Sequence, residues 1–124
     1  MTYRVVLVED DPTVRSVIEI LLSTEHDLDL VGTAVTAEDG IRLVQELTPD
    51  VVLLDNQLEG AMTGVQAAPS MKAAAPSVVV LLCTALDLAE VASAEPAIDG
   101  YLRKENLVDL LDRVRTLLPQ EGSP

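Results

Sequence analysis

Tyr3-Arg4-Val5-Val6-Leu7-Val8 is a short apolar run that stops on Glu9-Asp10-Asp11. Other runs in the chain behave alike. Val51-Val52-Leu53-Leu54 stops on Asp55, Val78-Val79-Val80-Leu81-Leu82-Cys83 on Thr84, and Gly100-Tyr101-Leu102-Arg103 on Lys104. Val-rich apolar runs of about four to eight residues, bounded by turn signals, read as strands of a parallel sheet buried on both faces. Parallel strands expose their C-terminal ends at one edge, and ligands bind there. The run ends therefore gather carboxylates, a hydroxyl and an ammonium at a single rim. Such a set can hold a divalent cation and receive a phosphoryl group.

The segments between the runs read as helices. Asp11 followed by Pro12 is a helix start, a capping side chain and then a first helical residue. Val14, Val17, Ile18, Leu21 and Leu22 follow at helical spacing, and His26 reads as a solvated residue in the turn beyond. A second strand at 28–35 precedes Thr36 and Asp39, which have capping-box spacing. Ile41, Val44 and Leu47 form the next helical face, ended by Thr48-Pro49-Asp50. A polar loop at 56–63 leads to an alanine-rich helix at 65–74. That helix is expected to be weak, because an interior Pro69 removes a donor or kinks it. The fourth strand is predicted at 78–83, a short helix at 88–94 stopped by Pro96, and the fifth strand at 98–102. The last helix is predicted to begin near Asn106, with Leu107, Leu110, Leu111, Val114 and Leu118 on its face. Strands alternating with helices give an α/β fold, a three-layer α/β/α sandwich on a five-stranded parallel sheet.

The length of 124 residues suits one domain, placed at 1–119, with 120–124 as a loose tail or the start of a linker. Hydrophobic content of 48% supports a core, and Tyr3 and Tyr101 are the only aromatics, so that core is aliphatic. No apolar run approaches the roughly 18 residues of a membrane span, and the N-terminus has no signal-peptide shape. Cys83 is the sole cysteine and reads as a small buried residue, which fits a reducing cytoplasm. A net charge of −13 argues against direct contact with nucleic acid or an anionic membrane.

Most of that charge is a solvated surface, but Glu9, Asp10 and Asp55 stand at strand ends. Two like charges about 4 Å apart cost on the order of 4 kcal/mol at an effective dielectric near 20. A structural protein gains nothing from that cost. Mg²⁺ (or Mn²⁺) wants such hard oxygen ligands. With it in place, the Asp55 carboxylate can attack a phosphoryl group to form an aspartyl-phosphate. Lys104 is the candidate ammonium and Thr84 the candidate hydroxyl donor for the phosphoryl oxygens. Asp11 reads as the helix cap rather than a ligand.

Together, Leu7-Val8-Glu9-Asp10-Asp11, residues 51–55, Leu81-Leu82-Cys83-Thr84-Ala85 and residues 100–104 make the whole chain resemble a response-regulator receiver domain of bacterial two-component systems. The resemblance implies a flavodoxin-like sheet of order 2-1-3-4-5. It implies Asp55 as phosphoacceptor and Glu9 and Asp10 as the acid pair, with Asp10 the direct metal ligand and the Gln57 carbonyl completing the site. Thr84 and Lys104 would contact the phosphoryl group, and Thr84 with Tyr101 would form the switch. Gln57 and Leu86 stand at the positions that tune the lifetime of the phosphorylated state. The implied donor is a histidine kinase or phosphotransfer protein, and the domain would catalyse its own phosphorylation without being a conventional enzyme. Its output partner is unspecified, and self-association into a homodimer is open.

The chain departs from the family's common pattern in three places. The loop after Asp55 is longer, Glu105 stands where a proline often follows the lysine, and the stretch from Thr84 to Lys104 is short. A missing proline there is commoner in receivers attached to helix-turn-helix output domains. Two rival readings follow: the receiver half of a DNA-binding transcriptional regulator, and an interaction module on the same fold that signals without phosphate.

Overall fold

The computed structural model describes residues 2–119. The expected tail at 120–124 lies outside the described residues. Five strands, β1 (Tyr3–Val8), β2 (Leu28–Ala34), β3 (Val51–Leu54), β4 (Val79–Thr84) and β5 (Gly100–Arg103), form one sheet of order β2-β1-β3-β4-β5. Every pairing is parallel. Five α-helices connect and flank them: α1 (Pro12–Ser23), α2 (Ala37–Leu47), α3 (Gly64–Ala74), α4 (Ala89–Ala94) and α5 (Leu110–Leu117). This is the expected flavodoxin-like α/β/α sandwich.

Strand alternation divides the core in two. Val6, Val8, Val52, Leu54, Val80 and Leu82 face one side, where Val44 of α2, Ala67, Ala68 and Met71 of α3 and Ala92 of α4 cover them. Val5, Leu7, Val51, Leu53, Leu81 and Cys83 face the other, against Ile18 and Leu22 of α1 and Leu110 and Val114 of α5. The central strands thus need apolar residues at every position, which is why they read as unbroken runs. The Cys83 thiol is pushed up to about 12, first by burial and then by the nearby Asp55 and Glu9 charges, so it stays a neutral core residue. His26 is exposed, as expected. Among the described residues no helix is long and apolar enough to cross a membrane.

Several boundaries differ from the sequence expectation. Val78 N donates to Ala75 O and Ile98 N to Glu95 O, so both amides are committed to turns and their strands begin later. β4 instead runs on to Thr84, which pairs with Arg103. β2 stops at Ala34, one residue before the expected end. The last helix does not begin at Asn106. Lys104–Asp109 forms a 3-10 segment in which Asn106 leaves helical geometry (φ −109°, ψ 27°), and regular α-helix starts at Leu110. Leu107 still packs on the core from that segment.

The expectation of a weak α3 is also corrected. α3 runs unbroken through Pro69. Its start carries a reciprocal capping box: Gln66 N donates to Thr63 Oγ1 at 3.2 Å and Thr63 N to Gln66 Oε1 at 2.9 Å. Pro69 is exposed while Ala67, Ala68 and Met71 are buried. Capping and burial of the small-residue face offset the lost proline donor. At Thr36, by contrast, the side chain accepts from Asp39 N at 3.1 Å.

Candidate functional site

The parallel sheet brings the C-terminal ends of β1, β3, β4 and β5 to one rim, and each delivers a predicted residue. Glu9 N donates to Ala34 O at 2.9 Å and Asp55 N to Val8 O at 3.0 Å, so the ladder itself aims both acids. Asp11 caps α1, accepting from Thr13 N at 2.8 Å and Val14 N at 3.3 Å. That cap turns the chain away and leaves Glu9 and Asp10 at the strand end.

Glu9, Asp10 and Asp55 each place a carboxylate oxygen within 4.8 Å of the others. Glu9 is 1% exposed and Asp55 3% exposed, so water screens neither. Lys104 Nζ lies between them, 2.9 Å from Glu9 Oε1 and 3.0 Å from Asp55 Oδ2. Burial opposes the ammonium charge, but the hydrogen bonds it donates to both carboxylates, with their negative charge, outweigh that and raise the Lys104 pKa. Burial pushes Glu9 up to about 6 despite Lys104 and the Asp11 N–H, and the Asp55 charge adds to the rise. Asp55 Oδ1 is buried with no hydrogen-bond partner. An orphaned carboxylate oxygen is costly, and the Asp55 carboxylate that carries it shares its site with those of Glu9 and Asp10. That donor set fits a small divalent cation.

The remaining predicted residues lie around this centre. Thr84 is fully buried, and its Oγ1 accepts from Leu86 N at 3.2 Å. Tyr101 is half-buried, and its hydroxyl donates to Leu86 O at 2.9 Å and accepts from Leu88 N at 3.0 Å. Leu86 is 40% exposed, and the Gln57 side chain is exposed on the loop after Asp55.

The sequence reading missed Asn56 and Gly64. Asn56 holds the start of α3 through its carbonyl, which accepts from Gly64 N at 3.1 Å, and its Oδ1, which accepts from Val65 N at 3.1 Å. A Cβ on Gly64 would stand 2.1 Å from the Asp55 carbonyl oxygen. Only glycine lets α3 approach the acid's backbone this closely. A glycine directly after a capping threonine was the available signal.

A sequence model described as the response regulator receiver domain matches residues 5–115. The response regulator protein VraR of Staphylococcus aureus is 33% identical over 118 residues, covering 93% of this chain and 56% of that protein. The chain thus spans about half the length of the curated relatives it matches. Among solved structures, a LuxR-family two-component response regulator from Aurantimonas sp. SI85-9A1 superposes with TM-score 0.84 at 28% identity, covering 94% of this chain and 85% of that one. The response regulator domain of Thermotoga maritima CheB also reaches 0.84, covering 94% of this chain and 96% of that one, and at 18% identity shows the fold alone.

Two outcomes follow from this geometry. Gly64→Ala should lower the unfolding free energy by about 1–3 kcal/mol, the usual cost of overpacking, and urea denaturation reads it. Glu9 binds its proton more tightly folded (about 6) than at its ordinary 4.5. Its ionisation therefore costs nothing below pH 4.5 and its full amount above pH 6. In metal-free protein, Glu9→Gln should gain about 2 kcal/mol on wild type across that window, measured as paired denaturation curves. A constant gap between the two proteins would rule out the buried-acid account.

Proposed function

The chain belongs to the response regulator receiver domain family, and we propose that it is a phosphoacceptor switch charged at Asp55. The observation that carries this reading is the Asp55 carboxylate: buried, flanked by two acids and one ammonium, with Oδ1 uncommitted. Oδ1 would attack the phosphorus of a phosphohistidine on a histidine kinase or phosphotransfer protein. The new O–P bond forms as the N–P bond to the imidazole breaks, and the imidazole nitrogen leaves with the electron pair. Glu9, Asp10, Asp55 and the Gln57 carbonyl would hold Mg²⁺, which when bound offsets the charge on the transferring oxygens. The Lys104 ammonium, already on Asp55 Oδ2, would follow the charge onto a phosphoryl oxygen. The domain performs this on itself and has no turnover on an external substrate.

The switch reading rests on Leu86. Its N–H donates to Thr84 and its carbonyl accepts from Tyr101. If Thr84 turned to donate to a phosphoryl oxygen, the Leu86 amide would lose its acceptor and the Tyr101 contact would have to readjust. The relatives' greater length supports a further reading: this is the receiver half of a longer, cytoplasmic regulator, with no direct nucleic-acid contact by this domain and with DNA binding and dimerisation belonging to the whole protein. A phosphate-independent interaction module is the rival, because Lys104 already neutralises part of the acid cluster without phosphate.

Incubation with acetyl phosphate and Mg²⁺ should add one phosphoryl mass, and Asp55→Asn should add none. Mg²⁺ at a hundredfold excess over its Kd should stabilise the fold by about 2.7 kcal/mol. No uptake from several donors would favour the interaction module. Leu86 is apolar and cannot hold the water that hydrolyses the phosphoryl group. Leu86→Glu should therefore shorten the phospho-Asp55 lifetime by about tenfold, equivalent to ~1.4 kcal/mol of barrier. Equal rates of phosphate loss would remove Leu86 from that role.

A further inference from the structure

We propose that Arg103 is a positioning residue: its guanidinium straps residues 85–88 in the resting arrangement and so sets how readily Thr84 turns toward phosphorylated Asp55. The proposal rests on the phosphoacceptor reading and goes beyond it, because the stretch at 100–104 gives roles to Tyr101 and Lys104 and none to Arg103.

Arg103 ends β5 directly beside Thr84, its register partner on β4. It stands two residues after Tyr101, so both side chains leave the same face of the strand. Arg103 Nη2 donates to Ala85 O at 3.1 Å. The Tyr101 hydroxyl takes Leu86 O and Leu88 N. From β5, then, two side chains grip consecutive peptide units immediately after the threonine. Little else holds this stretch. Ala85, Leu86 and Asp87 are all exposed. α4, which follows, has six residues, no side-chain cap and only Ala92 buried. With so little apolar burial, hydrogen bonds decide where the loop sits, and Arg103 supplies the charged one.

The strap is also built to release. Arg103 Nε is buried without a hydrogen bond, although Glu105 Oε1 lies 3.4 Å away as an ion partner. An unsatisfied buried donor is unfavourable. Closing fully onto Glu105 would satisfy Nε and would pull on the same guanidinium that holds Ala85. The guanidinium therefore has two acceptors in competition, the loop carbonyl and the Glu105 carboxylate. Movement of the Thr84–Leu86 peptides toward the acid site would tip it from the first to the second.

Amide hydrogen exchange on the unphosphorylated chain tests the strap, and acetyl-phosphate labelling with Mg²⁺ tests its coupling to Asp55. Arg103→Ala should speed exchange at Leu86 and Leu88, and speed labelling, each by about fivefold, the scale of one lost hydrogen bond of ordinary strength. Arg103→Lys, which keeps a cationic donor, should restore part of both. Arg103→Gln serves if the alanine variant folds poorly. Core amides of β1 and β3 should be unchanged, which separates a local strap from general destabilisation. Unchanged exchange at Leu86 and Leu88 overturns the strap. Faster exchange with an unchanged labelling rate overturns its coupling to the chemistry. A wild type that takes no phosphate sinks the phosphoacceptor reading instead, while the exchange result still judges the strap.

Discussion

The Lys104 ammonium stands 2.9 Å from Glu9 and 3.0 Å from Asp55, and the rim is organised around that contact. Three carboxylates in a nearly dry cleft repel one another, and one cation offsets only part of their charge. Removing Lys104 would leave Glu9 and Asp55 buried with no counter-charge, a loss of about 3–5 kcal/mol in comparable pairs. The arrangement is thus held together and still electrostatically incomplete. The raised pKa of Glu9 and the orphaned Asp55 Oδ1 are two signs of the same deficit. Both are relieved by adding positive charge, which is the physical reason a metal-assisted phosphoryl acceptor suits this site.

The fold supplies the stiffness this tension needs. Asp55 is anchored by its own amide to Val8 O, while α3 closes over its carbonyl through Gly64. Both core layers are aliphatic and continuous behind it. The opposite side of the site is loose by comparison. Beyond Thr84 the chain passes through three exposed residues into a six-residue helix with one buried side chain. A rigid acceptor beside a lightly held loop is the distribution of stability that a switch requires.

Much of this was legible in the linear chain. Unbroken Val-rich runs of about four to six residues, bounded by turn signals and alternating with helical periodicity, read as strands buried on both faces, so the parallel sheet and its layers follow from patterning. Parallelism then places Asp55, Thr84 and Lys104 at one edge, because every such strand ends there. The Asp11-Pro12 start was equally readable, since capping is local chemistry. Errors fell where local signals competed with tertiary ones. Pro69 argued against α3, but a capping box and a buried small-residue face outweigh one missing donor. The periodic leucines suggested a helix from Asn106, yet a 3-10 segment carries Leu107 to the core before α5 begins.

By itself, then, the sequence determined the strands, the layers and which side chains meet at the rim, because periodicity and strand polarity are properties of neighbours along the chain. Only the tertiary structure decided that Lys104 bridges Glu9 and Asp55, that Gly64 must lack a Cβ, and that Leu86 donates to Thr84 while accepting from Tyr101. Those facts depend on distances between segments remote in sequence, and on which donors the packed core leaves without water. No spacing along one chain encodes them.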